Sequence, residues 1–208
     1  GGAVLDYLNQ KKISEQFSLD FIHTLFNYDD FSTRHSPILI ILLSFFEKFY
    51  ISDFLIRIIH LHICLLLPFF LFKCLEIKFT NMDKNIFLLF VSLIFLSPTF
   101  RSLSIWPDSR LSGLLIFTIG IFFYLKFLDQ KKFHYALKNV FFVALSAYFS
   151  PNFSIFSIFF FLNFIQFYGI KSINIFYIFL LNIFLALPAI YYVFYLDINF
   201  LVKSAAIG

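Results

Sequence analysis

Arg101-Ser-Leu-Ser-Ile-Trp-Pro-Asp-Ser-Arg110 is a short polar island between two runs that are almost wholly apolar, Asn85–Phe100 and Leu111–Leu128. The flanking runs are long and greasy enough for membrane helices, so the island reads as a loop at a membrane face. It carries two Arg, an Asp, a Trp and a Pro, which is rich chemistry for so short a turn. The rest of the chain is best understood by asking what else gathers on that face.

Composition sets the class. The chain has 208 residues, is 61% hydrophobic with only 13% charged residues, and has a mean hydropathy of +0.87. A soluble domain of this size cannot hide so much apolar surface, so lipid must be the solvent for most of it. The 36 Phe residues, with abundant Ile, Asn and Lys, fit the codon bias of an AT-rich genome, so aromatic stripes are weak evidence for a ring-binding site. The net charge of +4 comes mostly from Lys in short loops between apolar runs, which is a topology signal, and nucleic acid is not an expected partner. Cys64 and Cys74 share one apolar run and imply packing, not a disulfide framework. The opening Gly1-Gly2, without Met, and the stop in mid-pattern suggest a piece of a longer polytopic protein with at least one helix upstream.

Residues 1–50 read as an outer-face segment of short amphipathic helices on a membrane surface. Phe17-Ser-Leu-Asp-Phe-Ile-His-Thr-Leu-Phe26 fits one helical spacing. Ser36-Pro37, as N-cap and first-turn proline, opens the apolar run Ile38–Phe46, which is too short to span and reads as a half-buried helix. Residues 51–208 read as an all-α polytopic bundle of about six spans: Phe54–Leu75, Asn85–Phe100, Leu111–Leu128, Tyr135–Phe149, Phe153–Tyr168 and Ile173–Leu196, the last bent at Pro188. The fourth is short of the roughly 20 residues a bilayer needs, so it must borrow flanking residues or form a re-entrant hairpin with the fifth. Asp53 and Arg57 stand i, i+4 with the acid first, the favourable order for a helical ion pair. Asn163, Gln166 and Asn182 read as hydrogen-bonding across helices.

Loop charge sets the orientation. With the N-terminal segment outside, the inner loops carry Lys73, Lys78, Lys84, Lys126, Lys131, Lys132, Lys138 and Lys171, while the outer loops between helices carry only Arg101 and Arg110. The outer side then collects Asp6, Asp29, Asp30, Arg34, His35, Asp53, Arg57, Arg101, Trp106, Asp108 and Arg110. Asp6 can serve as a general base or be a solvated loop acid. Arg34-His35 opens a membrane-facing helix and suits a phosphate, or simply meets lipid headgroups. Trp106 can anchor at the interface and Asp108 can cap the next helix, but Arg101 and Arg110 are harder to explain as caps because Arg opposes the dipole of a helix N-terminus. Asp29-Asp30 offers two ligands to a divalent cation, too few to define a site. His60 and His62, at i, i+2, face different sides of a helix and are not a metal pair.

The order of these parts resembles the membrane glycosyltransferases of the GT-C fold, in particular the protein mannosyltransferase and lipid A aminoarabinose transferase group. Asp6-Tyr7-Leu8 stands at that family's acidic position at the start of its outer loop. His35-Ser36-Pro37-Ile38 stands at its basic-Pro-Pro-Leu motif, with Ser36 replacing a Pro. Ser52-Asp53-Phe54-Leu55-Ile56-Arg57 matches the helix with an early Arg, and Pro98 with Trp106-Pro107-Asp108-Ser109-Arg110-Leu111 matches the polar outer loop and the acid opening the next helix. The likeness covers about two-thirds of the chain and is one of layout. It implies a GT-C-like fold and transfer of a sugar from a polyprenyl-phosphate carrier to a lipid, glycan or protein acceptor, on the outer face of a bacterial inner membrane. Asp6 would be the base, and Arg34, His35, Trp106, Asp108, Arg110 and Arg101 would lie about the donor's phosphate and sugar. No cofactor is certain, and a divalent cation is left open. The rivals are a transporter or flippase for a lipid-linked sugar and a non-catalytic membrane subunit. The nearly charge-free helices and lack of internal repeats weigh against the first, and the one-sided charge cluster against the second. The orientation is checked by single-cysteine labelling with an impermeant reagent in intact cells: position 104 should label and position 131 should not, and the opposite pattern would reverse the topology.

Overall fold

The computed structural model describes residues 2–31, 33 and 36–191, and the regular elements among them are all helical. Helix α1 (Gly2–Leu19) is a single 18-residue helix where the sequence suggests shorter pieces. The spacing that runs through Phe17–Phe26 is interrupted at Asp20, whose backbone is extended and whose carboxylate accepts the His23 N–H at 3.0 Å, capping α2 (Phe21–Phe26). Helix α3 (Pro37–Lys48) begins at Pro37 as its motif predicts. Ser36 holds the N-cap position without capping: its hydroxyl donates instead to the Tyr148 carbonyl, tying α3 to the bundle. Leu39, Ile40 and Leu43 are buried while Leu42 and Phe45 are exposed, so α3 is half-buried, and α1 and α3 pack closely along their lengths.

Among the described residues, four stretches are long and apolar enough to cross a membrane: Asp53–Lys78, Ser109–Gln130, Pro151–Tyr168 and Ile173–Ile190. The first is α4 (Asp53–Cys64) followed by α5 (Leu66–Lys78), divided at Leu65 because Pro68 has no N–H to continue the ladder back to Cys64. The others are α8 (Ser109–Gln130), α10 (Ile155–Tyr168) with a 3-10 turn before it, and α11 (Ile173–Ile190). The stretch expected as one straight span over Asn85–Phe100 is not straight. It is α6 (Lys84–Ser92), a 3-10 turn and α7 (Pro98–Ile105), bent by 71°. A residue before proline avoids the helical region, and Ser97 is extended and caps α7 through Phe100 N–H. The short fourth span is α9 (Phe133–Phe149), 17 residues or about 26 Å. It lies antiparallel to α8 over the full depth of the bundle, since Asn139 reaches the Gly120 carbonyl and a Cβ at Gly113 would touch Ser150. The part of the sixth span beyond residue 191 lies outside the described residues.

Apolar side chains gain little by leaving lipid for a protein interior, so close packing and interhelical hydrogen bonds must hold the bundle. Gly120 lets α9 approach until an added Cβ would sit 3.0 Å from Val143, and Asn139 Nδ2 donates to its carbonyl at 2.9 Å. Phe117, Phe127, Phe160 and Phe164 interlock α8 with α10. Tyr124 donates to Asn163 Oδ1 at 3.0 Å across the same interface, while among the described residues Asn182 bonds only to its own helix. Near Pro188 the Tyr148 hydroxyl is inserted into the α11 ladder, donating to the Leu185 carbonyl and accepting the Ala189 N–H.

The chain direction places the starts of α4 and α8 and the end of α9 at one end of the bundle, with Lys78, Lys84, Lys131 and Lys132 at the other. At the lysine end Lys73 and Lys84 both pair with Glu76, at 2.7 and 2.9 Å. Ser104, the labelling position suggested by the sequence, is buried, whereas Ser102 and Lys131 are exposed and both native cysteines are buried. Ser102→Cys should therefore label in intact cells and Lys131→Cys only after permeabilisation; labelling of Lys131→Cys alone would invert the bundle.

Candidate functional site

The loop between α7 and α8 is built by local rules. Trp106 precedes a proline and is extended, which ends α7. Asp108 is also extended, and its Oδ1 accepts the N–H groups of Arg110 and Leu111 at 2.8 and 3.2 Å, so it caps α8. The Leu103 carbonyl near the end of α7 accepts a hydrogen bond from His60 Nε2 of α4 at 3.0 Å, which fixes the loop against the first span.

Asp108 does more than cap. It is only 2% exposed, and the Arg110 guanidinium folds back on it, Nε at 3.2 Å and Nη2 at 2.8 Å from Oδ2. This two-nitrogen grip explains an Arg at a helix N-terminus: the carboxylate that satisfies the helix also offsets the charge that would oppose its dipole. The same Nη2 reaches Asp6 Oδ2 of α1 at 3.1 Å. Asp6 and Arg110 are thus brought together from positions 104 residues apart. One guanidinium stands between two carboxylates. Asp6 remains 37% exposed and its Oδ1 has no hydrogen-bond partner among the described residues.

A second group lies one turn along α1, and the polar island gives no sign of it. Lys11 Nζ is 2.7 Å from Asp53 Oδ1 and 3.7 Å from Glu47 Oε1, and the Tyr7 hydroxyl donates to Asp53 Oδ1 at 3.4 Å. The Asp53 hydrogen bond holds the Lys11 ammonium above its usual pKa, with Glu47 adding to it. Burial, then Asp53, push the Tyr7 phenol well above the usual range, so it stays a donor. The expected Asp53–Arg57 pair does not form, because Lys11 takes Asp53. Arg57 lies instead over Trp106, Cζ 4.1 Å from the ring centroid, and the Tyr7 ring meets Trp106 at 5.6 Å.

The other sequence candidates fall differently. Arg34 and His35 lie outside the described residues. Arg101 is exposed on α7, and its guanidinium makes no ion pair or hydrogen bond with the described residues, so no contact joins it to the group. Asp29 and Asp30 sit on a 3-10 turn, and among the described residues no three His, Cys, Asp or Glu side chains are grouped to hold a metal ion. Tyr7 and Lys11 are the residues that sequence reasoning missed here, while Arg57 reads in the sequence as the helical partner of Asp53, with no place in the site. For Tyr7 and Lys11 the available signal was their i, i+4 spacing on α1 beside Asp6.

No protein-family model, curated protein or solved structure matches the chain. The two jobs of Asp108 are separable. Asn caps helices as well as Asp, so Asp108→Asn removes charge but keeps the cap, while Asp108→Ala removes both at a cost of about 1 kcal/mol or more from the cap alone. The melting temperature in detergent should fall in the order wild type, Asn, Ala. An Ala variant melting with wild type would mean that the α8 cap does not hold the loop.

Proposed function

We propose that the chain belongs to a membrane glycosyltransferase with a GT-C-like fold, which moves a sugar from a polyprenyl-phosphate carrier to a hydroxyl acceptor on the outer face. The observation that carries this reading is Asp6: a half-exposed carboxylate at one end of a membrane bundle, gripped through one oxygen by Arg110, with the other uncommitted. A general base must be ionised, aimed and accessible. The guanidinium fixes the direction of the carboxylate, and the uncommitted Oδ1 leaves room for an acceptor. In the proposed step the acceptor oxygen bonds to the anomeric carbon, the carbon–oxygen bond to phosphate breaks with its electron pair leaving on the phosphate, and the acceptor proton passes to Asp6.

Arg110 has a narrower role in this reading than the sequence suggests. With Asp6 and Asp108 both on it, the trio has one negative charge in excess and would repel a phosphate. Arg110 is the organiser of the base. The layout resemblance in Asp6-Tyr7-Leu8 and Trp106–Leu111 supports the same assignment.

Asp6→Asn keeps an oxygen for Arg110 Nη2 and loses the base. Transfer of labelled sugar from polyprenyl phosphate by purified full-length protein should fall by about two to four orders of magnitude in this variant, with insertion and melting unchanged. Wild-type transfer by Asp6→Asn would remove Asp6 as the base. No transfer by wild type across a panel of donors and acceptors would count against the enzyme reading itself.

A further inference from the structure

The cations at the carboxylate end are not equivalent. Lys11 is held by Asp53 and Glu47, and Arg110 by Asp6 and Asp108. Arg101 is exposed on the surface of α7. Arg57 is half-buried, has no carboxylate within ion-pair distance among the described residues, and its Nε is buried without a hydrogen-bond partner. It is also set in the second turn of a membrane-crossing stretch, where an uncompensated charge is costly and marks a place of function. Its guanidinium lies over the face of Trp106, Cζ 4.1 Å from the ring centroid, and makes no hydrogen bond or ion pair with the described residues.

Beside it runs a groove of about 260 Å³ between α3, α4 and α8, lined almost wholly by apolar groups. Ile56, Ile59 and Ile63 of the helix that carries Arg57 form one wall, Leu42 and Phe46 of α3 another, and Pro107, the neighbour of Trp106, also lines it. Arg57 does not itself line the groove, but its chain neighbour Ile56 does, so an apolar groove and a guanidinium without a counter-ion among the described residues stand side by side on α4, a pairing that matches a molecule with a hydrocarbon chain and an anionic head. Arg recognises phosphate oxygens with two parallel donors, so phosphate is the head that fits best.

We infer that Arg57, stacked on Trp106, is the phosphate-binding residue of this end of the protein, and that it takes a lipid-borne phosphate whose chain enters the groove between α3, α4 and α8. Arg110 is not the phosphate ligand. The inference deepens the transferase reading and rests on it only for naming that lipid as the sugar donor.

Trp106 is the chain's one tryptophan, so intrinsic tryptophan emission reports this site without a label. Purified full-length protein in detergent is titrated with farnesyl phosphate, farnesol and inorganic phosphate, and complexes are counted independently by native mass spectrometry. Farnesyl phosphate should change the Trp106 emission saturably and bind more tightly than either farnesol or inorganic phosphate. Arg57→Ala should weaken farnesyl phosphate binding on the order of 10- to 100-fold. Arg57→Lys should restore part of the loss, because it returns the charge without the fork. Lys12→Ala, an exposed cation on α1, should bind as wild type. Unchanged binding in both Arg57 variants overturns the assignment, and so does an equal loss in Lys12→Ala, which would indicate diffuse electrostatics. Inorganic phosphate binding as tightly as farnesyl phosphate would remove the chain from the proposal and assign the site to free phosphate. Arg57-dependent binding by a protein that transfers no sugar would leave this site standing and sink only the transferase reading.

Discussion

The carboxylate of Asp108 is the point on which this end of the molecule depends. It is buried, so its charge must be satisfied by protein groups, and three sets of donors do so: two backbone N–H groups of α8, the Nε of Arg110 and its Nη2. Each bond positions something else. The backbone bonds start α8 at a fixed residue, and the guanidinium bonds aim Arg110 back along the loop towards Asp6 of α1. Magnitudes separate what is held from what is aimed. The outer arm, Arg110 to Asp6, joins partly exposed groups and is worth at most about 1 kcal/mol. It cannot by itself dock an 18-residue helix. The docking of α1 rests on Tyr7, Ile13 and Phe17 buried against α3 and its neighbours, and the ion pair then sets the direction of one carboxylate.

The spans follow a different economy. The share of residues buried within the structure is 39% for the α8 window and 11% for those of α10 and α11. Aromatic residues cover both the buried and the exposed faces of these helices, so hydrophobicity alone does not select the interface. Shape does. Gly113 and Gly120 on α8 mark where α9 comes closest, and Asn139 closes that contact with a hydrogen bond that lipid could not replace.

The amino-acid sequence makes the helical, membrane-spanning class plain, because it follows from composition and run length, which no tertiary contact can reverse. The breaks were legible only where local chemistry decides them. Pro37 starts α3 where its motif predicts, but Ser97-Pro98 divides a run that hydropathy reads as continuous. Residue types alone could mark Asp108 as a cap. They could not show Ser36 giving its hydroxyl to a carbonyl 112 residues away, nor Tyr148 entering the α11 ladder. The same limit applies at the candidate site. Spacing pairs Asp53 with Arg57, and local pairs of that kind contribute only about 0.3–0.5 kcal/mol, so Lys11 takes Asp53 once the fold presents it at 2.7 Å.

That exchange links the two halves of the site. Asp53 stands one helical turn before Arg57, so α4 alone would offer Arg57 a carboxylate. When α1 packs against α3 it presents Lys11 to Asp53 and Tyr7 to both Asp53 and Trp106. The carboxylate is diverted, and Arg57 is left with an aromatic face in place of a counter-ion. A guanidinium deep in a span costs about 3 kcal/mol, less near the end of a helix as here, and a cation–π contact recovers about 1 kcal/mol. What remains is an electrostatic demand that an anion can meet. The packing that brings Asp6 to Arg110 therefore also leaves Arg57 without a counter-ion among the described residues. One helix, by docking, both orients a carboxylate and takes the nearest counter-ion from a cation beside it.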